Sequence, residues 1–140
     1  MEESGGRRIK RAIYIDAQTI KVNDEQFQTR LENQNLLAKT PFEECVTGPQ
    51  TNLGLLRNYM LDYLKKHPMI NLELTLLVRQ LDPTEVGVPI EIYCFSKDKR
   101  WANYEALQAE IIEHFIAMLP KFDLRMFQRI SDKSEQRRLN

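Results

Sequence analysis

Apolar and polar residues alternate from Arg7 to Asp16, with Ile9, Ile13 and Ile15 on one side and Lys10, Ala12 and Tyr14 on the other. A period of two is that of a strand with one buried face, so this stretch is the first predicted strand. Thr19 to Val22 is a short extended piece that continues or bends it. Asn23 stands three residues before Gln26, the spacing of a capping box, and Asp24 and Glu25 suit the positive end of a helix dipole. A helix is predicted from there to about Leu37, with Phe27 and Leu31 four apart on its inner face. Between Ala38 and Gln50 the periodicity vanishes, and Pro41, Gly48 and Pro49 break the chain into a loop.

Thr51 or Asn52 caps a second helix whose stripe is Leu53, Leu56, Met60, Tyr63 and Leu64. Lys65, Lys66 and His67 fill the last turn, where positive charge is favoured, and Pro68 ends it. Leu72, Leu74, Leu76 and Val78 then alternate with Glu73, Thr75, Leu77 and Arg79, and Val88, Ile90, Ile92 and Cys94 with Pro89, Glu91, Tyr93 and Phe95. The Asp82–Gly87 connection is too short for a crossover, so these two strands form an antiparallel hairpin. Pro89 donates no ladder hydrogen bond and belongs at a strand start or an open edge. A long helix from about Asn103 to Leu119 buries Leu107, Ile111, Phe115 and Met118, and Pro120 stops it. Leu124 to Ile130 is the last predicted strand.

The order β-α-(α)-β-β-α-β predicts an α+β, ferredoxin-like split βαβ sandwich. Its four-stranded, mainly antiparallel sheet carries the helices on one face. The domain spans 7–130, residues 1–6 read as a linker or an artificial start, and 131–140 as a disordered polar tail. The opposite sheet face is left bare. Tyr14, Tyr93 and Phe95 fall on its parity, and these three are the expected interface residues, because an exposed aromatic face is most often a protein contact.

Composition narrows the function. One hundred and forty residues, 42% hydrophobic and 29% charged, suit one ordinary globular domain. Twenty basic and twenty acidic residues cancel, so no global field draws the chain to nucleic acid or anionic lipid. No apolar run approaches the ~18 residues of a membrane-spanning helix, and the first residues are no signal peptide. Cys45 and Cys94 are too few for a disulfide framework and lack zinc-site spacing, which points to a reducing, intracellular setting.

Candidate chemistry is sparse. His67 sits at a helix end and His114 beside Glu113, neither with partners at metal-ligand spacing, so both read as structural or surface residues. There is no phosphate loop and no nucleophile elbow. Cys94 reads as an inert core thiol, and the acidic pair before Cys45 disfavours a reactive thiolate there. No catalytic residue, cofactor or metal is expected. The run Arg7-Arg8-Ile9-Lys10-Arg11 beside outward aromatics matches the layout of an RNA-recognition sheet. Its third strand, however, lacks the Gly-aromatic signature and would set Glu91 among phosphates. An RNA- or ligand-binding module is therefore the alternative reading. An acylphosphatase-type hydrolase is disfavoured, since Ala17-Gln18-Thr19 stands where its Arg-bearing glycine loop belongs.

Several longer words are more specific. Ser4-Gly5-Gly6-Arg7-Arg8-Ile9-Lys10-Arg11 resembles the opening of the last cytoplasmic domain in the small-conductance mechanosensitive channel (MscS) family, miniconductance branch. Thr51-Asn52-Leu53-Gly54, Leu77-Val78-Arg79-Gln80-Leu81, Pro83-Thr84-Glu85 and Pro89-Ile90-Glu91-Ile92-Tyr93 are similar to that branch. So are Trp101, Tyr104-Glu105, Leu124-Arg125 and Phe127-Gln128, and the likeness runs over about residues 4 to 129. It implies a homo-oligomer, typically a heptamer, on the cytoplasmic side of the bacterial inner membrane, anchored by transmembrane helices absent from this chain. Such channels release ions and small solutes on hypo-osmotic shock. This chain would be a wall of their hollow vestibule, without catalysis and without nucleic-acid partners. Relatives can continue into a small barrel of one strand per subunit; Ser131 to Arg138 shows no alternation to support one.

Overall fold

The computed structural model describes residues 2–3, 5–39 and 48–129. Its centre is a three-stranded antiparallel sheet: β1 (Gly6–Ile15), β2 (Leu77–Gln80) and β3 (Val88–Phe95). β3 lies in the middle, paired with β1 from Arg8↔Phe95 to Ile15↔Val88 and with β2 from Leu77↔Tyr93 to Gln80↔Ile90. Glu2–Glu3 folds back on Gly6 and Arg7 as a two-residue rung. Three helices complete the mixed α/β domain: α1 (Glu25–Asn33), α2 (Asn52–Lys66) and α3 (Trp101–Met118), followed by a 3-10 turn at Leu119–Phe122.

One apolar layer joins sheet and helices. It contains Ile9, Ile13 and Ile15 of β1, Val88, Ile90, Ile92 and Cys94 of β3, and buried residues from all three helices. No residue of the opposite parity of β1 or β3 belongs to it, so all three helices lie over the same face of the sheet.

Several boundaries differ from the sequence-based expectations, each for a local reason. Asp24, not Asn23, caps α1, its Oδ1 accepting Phe27 N–H at 2.7 Å. The helix ends at Asn33, short of Leu37, because Asn35 turns into the left-handed region at φ 59°. The alternating leucines from Leu72 do not form a strand. Asn71 Oδ1 accepts Glu73 N–H at 2.9 Å while its amide donates to Gly5 O at 2.7 Å, which bends the chain, and β2 starts only at Leu77. α3 begins two residues early, at Trp101, where Asp98 accepts the Arg100 N–H ahead of the helix.

The expected strand from Leu124 to Ile130 is reduced to one bridge, Ile15↔Met126, along the outer edge of β1. Asp16 N–H donates to Arg125 O and Phe127 N–H to Tyr14 O, both within 2.9 Å. Asp123 at φ 57° delivers this segment, and its carboxylate takes Lys21 at 2.6 Å and Arg30 at 2.9 Å. Burial raises the Asp123 pKa, but these two cations outweigh it and hold the carboxyl below its usual value. The tail 131–140, Cys45 and most of the 38–50 loop lie outside the described residues.

Two close approaches organise the ends of the sheet. A Cβ on Gly6 would stand 1.9 Å from the Ser96 carbonyl oxygen, so only glycine lets β1 pair there. Gly87 has φ +102°, and a Cβ there would meet Ile15 O at 2.7 Å and Phe127 Cβ at 2.9 Å.

The segments after β1, before α2 and after α3 meet at Asn52, which has no exposed surface. Its Oδ1 accepts Lys21 N–H at 2.9 Å, and its Nδ2 donates to Thr19 O at 3.0 Å and Phe122 O at 2.9 Å. Thr51 beside it caps the helix through Gly54 N–H at 3.0 Å.

Asn52→Ala removes the partner of Lys21 N–H and of the Thr19 and Phe122 carbonyls, only the last of these bonds being fully buried, and a loss of roughly 1–3 kcal/mol is expected in urea unfolding. Gly6→Ala should cost about 1–3 kcal/mol by forcing β1 and Ser96 apart. Gly5→Ala, whose added Cβ meets only the Asn71 and Leu74 side chains, should be much milder.

Candidate interaction surface

Strand alternation places Arg8, Lys10, Ala12 and Tyr14 of β1 on the face away from the helices, with Pro89, Glu91, Tyr93 and Phe95 of β3. Register aligns them in cross-strand rows. Lys10, Tyr93 and Leu77 form one row, and Ala12, Glu91 and Arg79 the next. Among the described residues no helix covers this face.

The three aromatics expected to face outward are not equivalent. Tyr14 is 39% exposed and Tyr93 is half-buried. Phe95 lies on the same parity but is only 5% exposed, a correction to the expectation of a uniformly open aromatic face. Residues 70–71 run alongside its backbone, with Asn71 N–H donating to Phe95 O at 2.8 Å, and Gly6 approaches its Cβ. The Tyr93 ring meets it edge-on at 5.8 Å. Phe95 therefore supports Tyr93 from beneath, and the accessible apolar groups are Tyr14, Tyr93 and Leu77.

Glu91 is nearly as enclosed, with 5% of its surface exposed. Arg79 Nε and one terminal nitrogen both reach its Oε1 at 2.8 Å. Loss of Arg79 would leave a shielded carboxylate without its counter-charge, so the pair ties β2 to β3 across the sheet.

The basic run at the start of β1 is divided by the same alternation. Arg7 lies over the Tyr104 ring at 4.3 Å and Arg11 reaches Glu105 at 3.7 Å, both on the helix side. The Tyr104 hydroxyl also donates to Arg8 O. Arg8 and Lys10 side chains point to the bare face and form no hydrogen bond or ion pair among the described residues. The run is two half-patches back to back.

A second arrangement was missed in the sequence. Tyr59, Tyr63 and the C-cap His67 recur every four residues along α2 and its end, and Glu110 and His114 do so on α3; the two stripes face each other. The Tyr59 hydroxyl is 2.7 Å from His114 Nε2, and the Tyr63 ring stacks on the His114 ring at 4.3 Å. His67 Nδ1 accepts Met69 N–H at 3.1 Å, which leaves its Nε2–H to donate to Glu110 at 2.8 Å. The spacing was readable; that the stripes meet was not, because it depends on how α2 and α3 cross. Both histidines serve this helix contact, and no group of three or more potential metal ligands occurs among the described residues. Cys94 is buried in the core and burial pushes its thiol up to about 12, so it is no nucleophile at neutral pH.

Compared with known proteins, the chain matches no family model.

The helix contact has a pH signature. Burial lowers the His114 pKa below its usual 6.5, only partly offset by Glu110. The folded state then favours the neutral ring, so its contribution is complete above about pH 6.5 and declines as the unfolded chain takes up the proton first. Tyr59, Tyr63 and Glu110 are the titratable groups facing it, and Tyr59 and Tyr63 are themselves raised by burial. Unfolding midpoints should fall between about pH 7.5 and 5.5, and His114→Gln should flatten that slope.

Proposed function

We propose that this chain is the last cytoplasmic α/β domain of a bacterial mechanosensitive channel of the MscS type, miniconductance branch, acting as a structural wall of the vestibule. In that setting it works as part of a homo-oligomer, typically a heptamer. The assembly is held at the inner membrane by helices outside this chain and carries solute release on hypo-osmotic shock. The observation that carries the reading is the sheet face left bare by the helices, with Tyr14, Tyr93 and Leu77 open beside Lys10. A domain built into a larger assembly has a reason to keep such a face.

Two further points support it. The words shared with the family fall on positions with defined structural duties: Thr51-Asn52-Leu53-Gly54 forms the helix cap and the buried amide junction. Arg79 of one word pairs with Glu91 of another. The neighbour order also suits the family's split βαβ arrangement. The 124–127 segment lies beside β1, β1 beside β3 and β3 beside β2, with the last strand shortened to a single rung.

The test uses the complete reading frame that contains this domain. It should encode several membrane helices ahead of residue 1 and give stretch-activated currents in membrane patches. Tyr14→Asp and Tyr93→Asp should leave the 140-residue chain folded, at a cost of about 1–2 kcal/mol per site, while lowering the yield of assembled channel. A frame without membrane helices, or without stretch-activated current, defeats the reading.

A further inference from the structure

The sheet face and α3 are complementary in both charge and apolar character. On the bare face Arg8 and Lys10 carry unpaired positive charge beside Tyr14, Tyr93 and Leu77. The Glu91 charge is already matched there by Arg79. α3 is the opposite: from Trp101 to Met118 it contains Glu105, Glu110 and Glu113 and no lysine or arginine. It also fails to divide cleanly into an apolar and a polar side. Leu107, Ile111 and Phe115 enter the core, yet Trp101 is 72% exposed and Ile116 36% exposed on the solvent side. A helix that remains apolar on its outer side has a second surface to satisfy. Glu110 is engaged by His67 and Glu105 reaches Arg11 only at 3.7 Å, while Glu113 has no ion pair among the described residues. Glu113 and Ile116 are three apart and therefore neighbours on that outer side.

We infer that the outer side of α3 docks on the bare sheet face of a second copy of this chain, with Glu113 opposite Lys10 and Ile116 or Trp101 against Tyr14 and Tyr93. The two surfaces lie on opposite sides of the sheet, so they cannot satisfy each other within one chain. The contact is head-to-tail: each copy offers its helix to one neighbour and its sheet to the other. Such heterologous contacts either close into a ring or run on as a fibre. Unlike charges at the margin set orientation and approach, and the apolar groups supply the buried area. The inference rests on the vestibule reading for its biological setting, but its geometry is tested separately.

A mixture of isotopically light and heavy copies of the 140-residue chain, treated at low salt with a zero-length carbodiimide, joins an amine only to a carboxylate in contact with it. The expected product is a mixed-isotope peptide linking Lys10 to Glu113. Lys10→Glu should abolish it. Lys10→Glu combined with Glu113→Lys should restore dimer with the link in the reverse sense, an outcome that a folding defect cannot imitate. Added salt should diminish it. Absence of any intermolecular product, or links concentrated on other surfaces, overturns the proposal. If stretch-activated current is present but the link is not, only this interface fails; if the link forms without channel activity, the interface stands and the channel reading falls.

Discussion

The buried amide of Asn52 is the junction on which the rest of the domain depends. Three chain segments that are distant in sequence reach it: the stretch leaving β1, the start of α2 and the turn after α3. The first brings Lys21 N–H and Thr19 O and the last brings Phe122 O, backbone groups that no helix or strand pairs, while the start of α2 supplies the asparagine itself. One asparagine can serve all three because its side chain offers both an acceptor and a two-proton donor. A leucine of similar size would fill the space and leave all three stranded. Because the amide grips Phe122 O, it also fixes where the chain re-emerges after α3, and through Asp123 it sets the line of the final segment along β1.

From that junction follows the division of the sheet into two unlike faces. The helices are held over Ile9, Ile13, Val88, Ile90 and Ile92, and the reverse side is left to side chains that are aromatic, cationic or locked in one ion pair. The bare side is not simply open. Phe95 and Glu91 are enclosed by their neighbours, so much of the central strand is firm, while the accessible groups are half-buried Tyr93 and the side chains along β1 and β2. The enclosed centre is preorganised, whereas Arg8, Lys10 and Leu77 around it still have rotamer freedom to lose on contact.

Much of this was legible in the sequence where local periodicity and burial agree. The alternation of β1 and β3, the capped stripe of α2 and the tight turn at Gly87 all correspond to observed elements. Expectations failed where a distant group overrode the pattern. Leu72 and Leu74 alternate correctly for a strand, but Asn71 is tied to Gly5, and that bond is invisible to any window along the chain. The last strand was shortened by the αL turn at Asp123, whose partners Lys21 and Arg30 are about a hundred residues away in sequence. For the surface, parity was readable and accessibility was not: the placement of Tyr14, Tyr93 and Phe95 on one face follows from counting, whereas the enclosure of Phe95 depends on residues 70–71. Within either helix alone each histidine stands isolated; their meeting through Tyr63 belongs to the packing of α2 on α3.

The pairing of β1 with β3 has a consequence for how the molecule is made. Ile9 lies opposite Cys94, so β1 is without its partner until about eighty further residues of the domain have been synthesised. The β2–β3 pair, by contrast, closes over a short turn and can assemble as soon as it emerges. Closing so large a loop is entropically slow, and for that interval the isoleucines of β1 stay wet and available to other nascent strands. The charges at Arg8, Lys10 and Arg11 then do a second service, as gatekeepers that keep an unpartnered strand from pairing with the wrong neighbour.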